Sequence, residues 1–284
     1  MRTVVHLSDL HFGRTDDTLL DPLVSTIRAL APDVIAVSGD LTQRARRAQF
    51  QAARAFLDLL PAPKIIVPGN HDVPLYNVFR RFFRPLERYR QYITYDLQPY
   101  NADQEIAVLG INTARSLTFK GGRINPAQIA DAQQRLCSAP PEIVKIIVTH
   151  HPFDLPAGFE SSERVGRAKI AMDMLFSCKC DLLLAGHLHV SEADITPMRF
   201  VDREHGVIIV QAGTATSTRA RGETNSFNAI VIERQRIDVR RFGWIPTAGA
   251  FQHVSTETFA RTAGGWRQVG VEEHHESSTR PTPR

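Results

Sequence analysis

Over the first two thirds of the chain, short apolar runs alternate with longer amphipathic stretches. VVHLS (4–8) is followed by Leu19, Leu20, Leu23, Val24, Ile27 and Leu30, whose spacing puts them on one face of a helix. VIAVS (34–38) comes next, then a helical pattern over 50–60, then KIIVP (64–68). EIAVLGI (105–111) precedes a helix expected to open at about Pro126, with Asn125 suited to its N-cap. IVKIIVT (143–149), a helix around 164–176 and DLLLAG (181–186) close the series. These runs are apolar at nearly every position rather than at alternate ones. They therefore predict strands of a sheet that helices cover on both faces.

After residue 190 the rhythm changes. DITPMRFV, GVIIVQAG, SFNAIVIE and RIDVRRFGW are strand-like and joined by turn-rich links, which predicts an antiparallel part completing the fold. The expectation is one layered α/β domain of two sheets over 1–245, followed by a C-terminal extension at 246–284. Beyond about 270 that extension is polar and rich in Ser, Thr and Pro, and is expected to be disordered. His274 and His275, in this tail, read as an idle exposed pair.

Residues 73–100 interrupt the alternation with an aromatic, arginine-rich insert. Arg80, Arg84 and Arg88 recur at i, i+4 with Phe79, Phe82 and Phe83 between them. The favoured reading is a surface helix with a solvated face and an aromatic underside. A cap over neighbouring residues, or a homodimer contact, is the sharper alternative.

Composition narrows the class. With 43% hydrophobic and 23% charged residues the chain is an ordinary globular protein. No apolar run approaches the ~20 residues needed to span a bilayer. The N-terminus meets Asp9 and His11 too early for a secretion signal, so a cytoplasmic location is expected. The net charge of +4 comes from scattered arginines rather than a basic block, which does not favour nucleic acid as a partner. Cys137, Cys178 and Cys180 lack C-x-x-C spacing, and Cys178 and Cys180 are expected to be reduced, semi-buried thiols.

The candidate chemistry lies where the strands end. The first exits into Ser8-Asp9-Leu10-His11, the second into Ser38-Gly39-Asp40, and the third into Gly69-Asn70-His71-Asp72. The strand at 143–149 exits into His150-His151-Pro152, and that at 181–186 into His187-Leu188-His189. Ligands of open α/β sheets gather at the carboxyl ends of strands, so these side chains should converge. Imidazoles and carboxylates without thiolates suit Mn, Fe, Co or Zn. Asp9, His11, Asp40, Asn70, His150, His187 and His189 are too many donors for one tetrahedral ion and about right for two sharing a carboxylate. Two ions ~3.5–4 Å apart suit in-line displacement at phosphorus.

D-x-H, G-D, G-N-H-D, H and G-H-x-H, in this order across 9–189, resemble the signature of the calcineurin-like metallophosphoesterases. The bacterial class III cyclic-nucleotide phosphodiesterase branch, which includes glycerophosphodiesterase-like enzymes, is the most similar. The resemblance implies a four-layer α/β/β/α sandwich. It also implies one metal on Asp9, His11 and His189, a second on Asn70, His150 and His187, and Asp40 bridging both. A metal-bridging hydroxide would attack a small phosphodiester, most readily a 3′,5′-cyclic nucleotide. His71 would contact the phosphoryl group or protonate the leaving alkoxide, with Asp72 orienting it. His151 would be structural. Broad phosphoesterase, nuclease and non-catalytic scaffold readings remain as alternatives.

Overall fold

A computed structural model describes residues 1–117, 121–155, 163–195, 206–218 and 223–273. The alternation read from the sequence is present. β1 (Arg2–Leu7) leads to α1 (Leu20–Ala29), β2 (Val34–Ser38), α2 (Arg47–Leu59) and β3 (Lys64–Val67). Two short helices follow, α3 (Val78–Phe83) and α4 (Glu87–Tyr92), then β4 (Tyr100–Ala102) and β5 (Ile106–Gly110). Next come α5 (Pro126–Cys137), β6 (Val144–Val148), α6 (Ala168–Ser177) and β7 (Leu182–Ala185). The remainder is strand: β8 (Glu192–Ile195), β9 (Ile208–Gln211), β10 (Ser226–Ile232), β11 (Arg236–Ile245), β12 (Ala250–Thr262) and β13 (Gly265–Glu273). At α5 the cap forms as its residues dictate. Asn125 Oδ1 accepts the Gln128 N–H at 2.9 Å, and Pro126 occupies the first turn.

The strands make two sheets, ordered β13-β12-β11-β10-β1-β2-β3 and β4-β5-β6-β7-β9-β8. Three apolar layers hold them together. Val4, Ala36, Ile65, Val108, Ile146, Leu184 and Ile230 fill the space between the sheets. Leu23, Ile27, Phe50 and Phe56 pack α1 and α2 onto the outer face of the first sheet. Ile129, Leu136, Met172 and Leu175 pack α5 and α6 onto the second. The result is the four-layer α/β/β/α sandwich that the resemblance implied.

Four expectations need correction. The late strands are not all antiparallel: β10 joins the first sheet antiparallel to β1 as expected, but β9 runs parallel to β7 in the second. The boundary drawn at 245 falls inside a sheet, because β12 pairs with β11 from Ala260 to Ala250 and β13 pairs with β12. These strands mix Thr, Arg, Gln and Glu with their apolar residues, since as an outlying ribbon they bury only part of their surface. The idle His274–His275 pair and the rest of 274–284 lie outside the described residues, as does most of DITPMRFV.

The insert is not one helix. α3 ends at Phe83, and Arg84, ahead of Pro85, leaves the helical region with ψ 53°, so Arg88 leaves the line of Arg80 and Arg84. Arg80 and Arg84 both pair with Glu87, while Arg88 donates to the Ala45 carbonyl at 2.7 Å. Finally, Cys137 and Cys178 form a disulfide with their Cα atoms 4.5 Å apart. Side-by-side packing of α5 and α6 brings the two together across 41 residues of sequence, which no local spacing reveals. Cys180 remains a buried thiol, its pKa pushed up to about 12 by burial and then by Asp181.

At the amino end of the second sheet, Asp181 is almost fully buried and saturated. It accepts the Lys145 backbone N–H at 2.8 Å, the Arg261 guanidinium at 2.8 Å and the Trp266 indole N–H at 2.7 Å. The Lys145 ammonium donates to the Cys178 carbonyl at 2.9 Å.

Candidate metal centre

At the opposite end, the carboxyl ends of the strands of both sheets meet. His150, leaving β6, donates Nδ1–H to the carbonyl of Ser38, the last residue of β2, at 2.7 Å. The Asp9 N–H reaches the Gly39 carbonyl, and the Gly186 N–H reaches the His150 carbonyl. Each chain must turn sharply as it leaves its strand. Of the ten non-glycine residues with positive φ among those described, five are Asp9, His11, Asp40, His187 and His189. Such conformations cost on the order of 1–3 kcal/mol each and persist where the surroundings enforce them. Gly186 lets two exits approach: a Cβ there would lie 1.8 Å from Ser8 Oγ and 2.8 Å from Asp9 Oδ2.

The donors face one another as follows. Asp9 Oδ2 is fixed by the Ser8 hydroxyl at 2.6 Å and the His187 N–H at 3.1 Å. Its Oδ1 is buried without a hydrogen bond and lies 3.5 Å from both His11 Nε2 and His189 Nε2. Asp40 Oδ2 stands 3.7 Å from His11 Nε2, while its Oδ1 stands 3.4 Å from His150 Nε2. Asn70 Oδ1 lies 3.0 Å from the same His150 nitrogen. Donors bound about 2.1 Å from a shared ion are about 3.0–3.4 Å apart at octahedral to tetrahedral angles. The separations in this cluster approximate the edges of coordination polyhedra, so the residues fit divalent ions.

Asp9, His11 and His189 form one group able to hold an ion; Asp9, Asp40 and His150 form another, as do His150, His151 and His187. Burial alone would raise the Asp9 carboxyl, but the charges of His189, His11 and His150 outweigh it and hold it well below the usual range. Burial likewise opposes ionisation of Asp40, yet His150, His71 and His11 bring its pKa down. Both are carboxylates ready to ligate.

Asp72 takes a different place from the one expected. Its oxygens accept N–H groups from Gly69, Leu41 and Thr42 at 2.9–3.1 Å, tying the β3 exit to the β2 exit. Burial and then Asp40 raise its pKa to about 6. The His71 ring is held instead by the Gln43 carbonyl, 2.9 Å from Nδ1, while its Nε2 lies 4.0 Å from Asp40 Oδ2. His151 sits beside His150, its Nδ1 2.8 Å from Thr113 Oγ1.

Three supporting residues escaped the sequence reading. Gln43 acts through its backbone, which leaves no side-chain signal. Thr214, 2.7 Å from His189 Nδ1, follows β9. The strand-exit rule finds it once GVIIVQAGT is treated as a seventh parallel strand. Glu163, 2.7 Å from His187 Nε2, lies in a loop without periodicity and gave no signal.

Comparison with known proteins agrees with this geometry. Residues 2–191 match the family model described as calcineurin-like phosphoesterase. The glycerophosphodiester phosphodiesterase GpdQ of Enterobacter lignolyticus is 33% identical over 94 residues, covering 29% of this chain and 33% of that protein. The match thus spans only a third of that relative's length. A protein of Rhodopseudomonas palustris named "probable cyclic nucleotide phosphodiesterase" is 26% identical over 201 residues, covering 66% of this chain and 72% of the relative. A dimetal phosphatase of Danio rerio superposes with a TM-score of 0.64 at 14% identity, over 89% of this chain and 98% of that one. The yellow lupin purple acid phosphatase PPD1 gives 0.68 at 12% identity, over 92% and 54%. These two show a shared fold. With the family model covering well over half its length, the chain belongs to the calcineurin-like phosphoesterase family.

Proposed function

We propose that the chain is a two-metal phosphodiesterase acting on a small phosphodiester, with 3′,5′-cyclic nucleotides preferred. The observation that carries this reading is the orientation of Asp40, whose two oxygens face different imidazoles, as a bridging carboxylate requires. Asp9, His11 and His189 would hold one ion; Asn70, His150 and His187 would hold the other. The same donors accept Mn, Fe, Co or Zn. When bound, the ions supply Lewis-acid charge to the phosphoryl oxygens and make water a better nucleophile.

The remaining chemistry belongs to the chain. His71 is the most exposed imidazole of the cluster, its side chain 19% accessible, so it faces the side from which substrate must enter. Its backbone N–H donates to Asp40 Oδ1 at 2.8 Å, and its Nδ1 contact with the Gln43 carbonyl at 2.9 Å fixes the ring. Nδ1–H donated to a carbonyl leaves Nε2 to carry the second proton of the imidazolium. As water oxygen bonds to phosphorus and the ester P–O bond breaks, that proton passes to the departing alkoxide. The product is a phosphomonoester, and solvent restores the proton to His71. General acids of this kind contribute about 10²–10⁴-fold.

A glycerophosphodiester is the second reading, favoured by the relatives named for that activity. The cyclic-nucleotide reading has the longer alignment behind it. A Mn²⁺-supplemented panel separates them: cyclic AMP, cyclic GMP, their 2′,3′ isomers, glycerophosphodiesters, a nucleotide monoester and single-stranded DNA. Turnover of a 3′,5′-cyclic nucleotide with little cleavage of DNA is expected. Exclusive hydrolysis of glycerophosphodiesters would move the assignment to the second reading. Failure to cleave even bis(p-nitrophenyl) phosphate would sink both.

A further inference from the structure

Four imidazoles of the site are gripped at the nitrogen turned away from it. For His150 the partner of Nδ1 is the Ser38 carbonyl at 2.7 Å; for His189 it is the Thr214 hydroxyl at 2.7 Å; for His71 it is the Gln43 carbonyl at 2.9 Å. In each of these the Nε2 is the atom left for the centre. His187 is reversed. Its Nε2 is engaged by Glu163 Oε2 at 2.7 Å, which leaves Nδ1 for the centre. Glu163 is also the one carboxylate among these four partners.

The two halves of the site differ in charge. The group built on Asp9, His11 and His189 owns a carboxylate besides the shared Asp40. The group built on Asn70, His150 and His187 owns none: its donors are an amide and two imidazoles. A carboxylate hydrogen-bonded to the far side of a ligating imidazole fixes its tautomer and makes it a stronger donor, and loss of such partners typically costs 10–100-fold in metal affinity. On the side that owns Asp9, the ring of His189 has a hydroxyl at its far nitrogen.

We propose that Glu163 is a positioning residue for the charge-poor half. It turns His187 so that Nδ1 ligates, and it supplies at one remove the negative charge that Asn70 does not. The inference rests on the two-ion reading given above, but its test involves no substrate. An incorrect substrate assignment would therefore leave the result untouched.

Metal-free full-length protein is titrated with Mn²⁺ by calorimetry, as wild type, Glu163→Ala, Glu163→Gln, His187→Ala and the double variant Glu163→Ala/His187→Ala. Wild type is expected to bind two ions. Glu163→Ala should weaken one step about 10–100-fold and leave the other within about twofold. The double variant should bind no more weakly than His187→Ala alone. Glu163→Gln keeps an acceptor oxygen without the charge, so it should fall between wild type and Glu163→Ala. Thermal unfolding of the metal-free variants serves as the control and should match wild type. Unchanged binding of both ions by Glu163→Ala would overturn the proposal. So would equal weakening of both steps with a lowered melting temperature, or a further loss in the double variant. A wild type that binds fewer than two ions would remove the two-ion reading itself, and the proposal with it.

Discussion

The two ends of the sandwich both bury charged groups, yet they treat them in opposite ways. The Asp181 carboxylate accepts hydrogen bonds of 2.7–2.8 Å from a backbone amide, a guanidinium and an indole. Around Asp9 and Asp40 the imidazole nitrogens stand off at 3.4–4.0 Å. The backbone delivering the residues is strained into the left-handed region at five of them. A buried polar cluster that holds a fold together closes on itself. One that waits for an ion keeps its distance. Polar separation therefore tells a structural network from a candidate centre when residue types alone do not.

Mutation can test this contrast directly. The largest effect is expected from Asp40→Ala, which removes the proposed bridge. Metal analysis should find at most one ion per chain, and turnover of bis(p-nitrophenyl) phosphate should fall by about 10²–10³-fold or more. Two ions per chain in that variant would show that Asp40 does not bridge. Asp181→Ala should do the reverse. Leaving Arg261 and Trp266 without their acceptor should cost about 3 kcal/mol, lowering the melting temperature by roughly 5–10 °C, with metal content unchanged. A loss of metal from Asp181→Ala would erase the distinction between the ends.

The smallest effect concerns His6, which lies between them. It is fully buried, its Nε2 2.9 Å from Ser38 Oγ, and burial lowers its pKa to about 3 despite the opposing influence of Asp9. Below pH ~6.5 the unfolded chain takes up a proton there that the folded chain refuses until about pH 3. Stability from this group is thus complete above pH ~6.5 and falls by about 1.4 kcal/mol per unit as the pH drops through that window. Denaturant titrations of wild type and His6→Gln between pH 7 and 4.5 should diverge accordingly. Parallel curves would place the His6 pKa near its ordinary value.

How much of this was legible depended on whether the signal was local. The parallel strands were visible because burial on both faces makes runs such as VIAVS and DLLLAG apolar throughout. The convergence of the candidate donors followed from those strands, since a parallel sheet sends every exit to one end. β12 and β13 were not legible, because a ribbon at the sheet margin needs only half its residues to be apolar. The Cys137–Cys178 bridge and the Glu163–His187 contact were hidden for another reason. Both join segments whose proximity is decided by how α6 and its preceding loop pack, and neither spacing nor periodicity encodes that.

The left-handed residues carry a consequence for how this chain can change. Glycine adopts that backbone region without strain, so at Asp9, His11, Asp40, His187 and His189 it would relax the main chain as it deleted a donor. Selection for heat resistance and selection for turnover therefore pull these positions in opposite directions. In a mutant library screened only for surviving fold, glycine and asparagine should accumulate at those five sites. A library screened for phosphodiester cleavage should purge them. The ratio between the two pools would read out, position by position, what each strand exit gives up in stability to keep its donor.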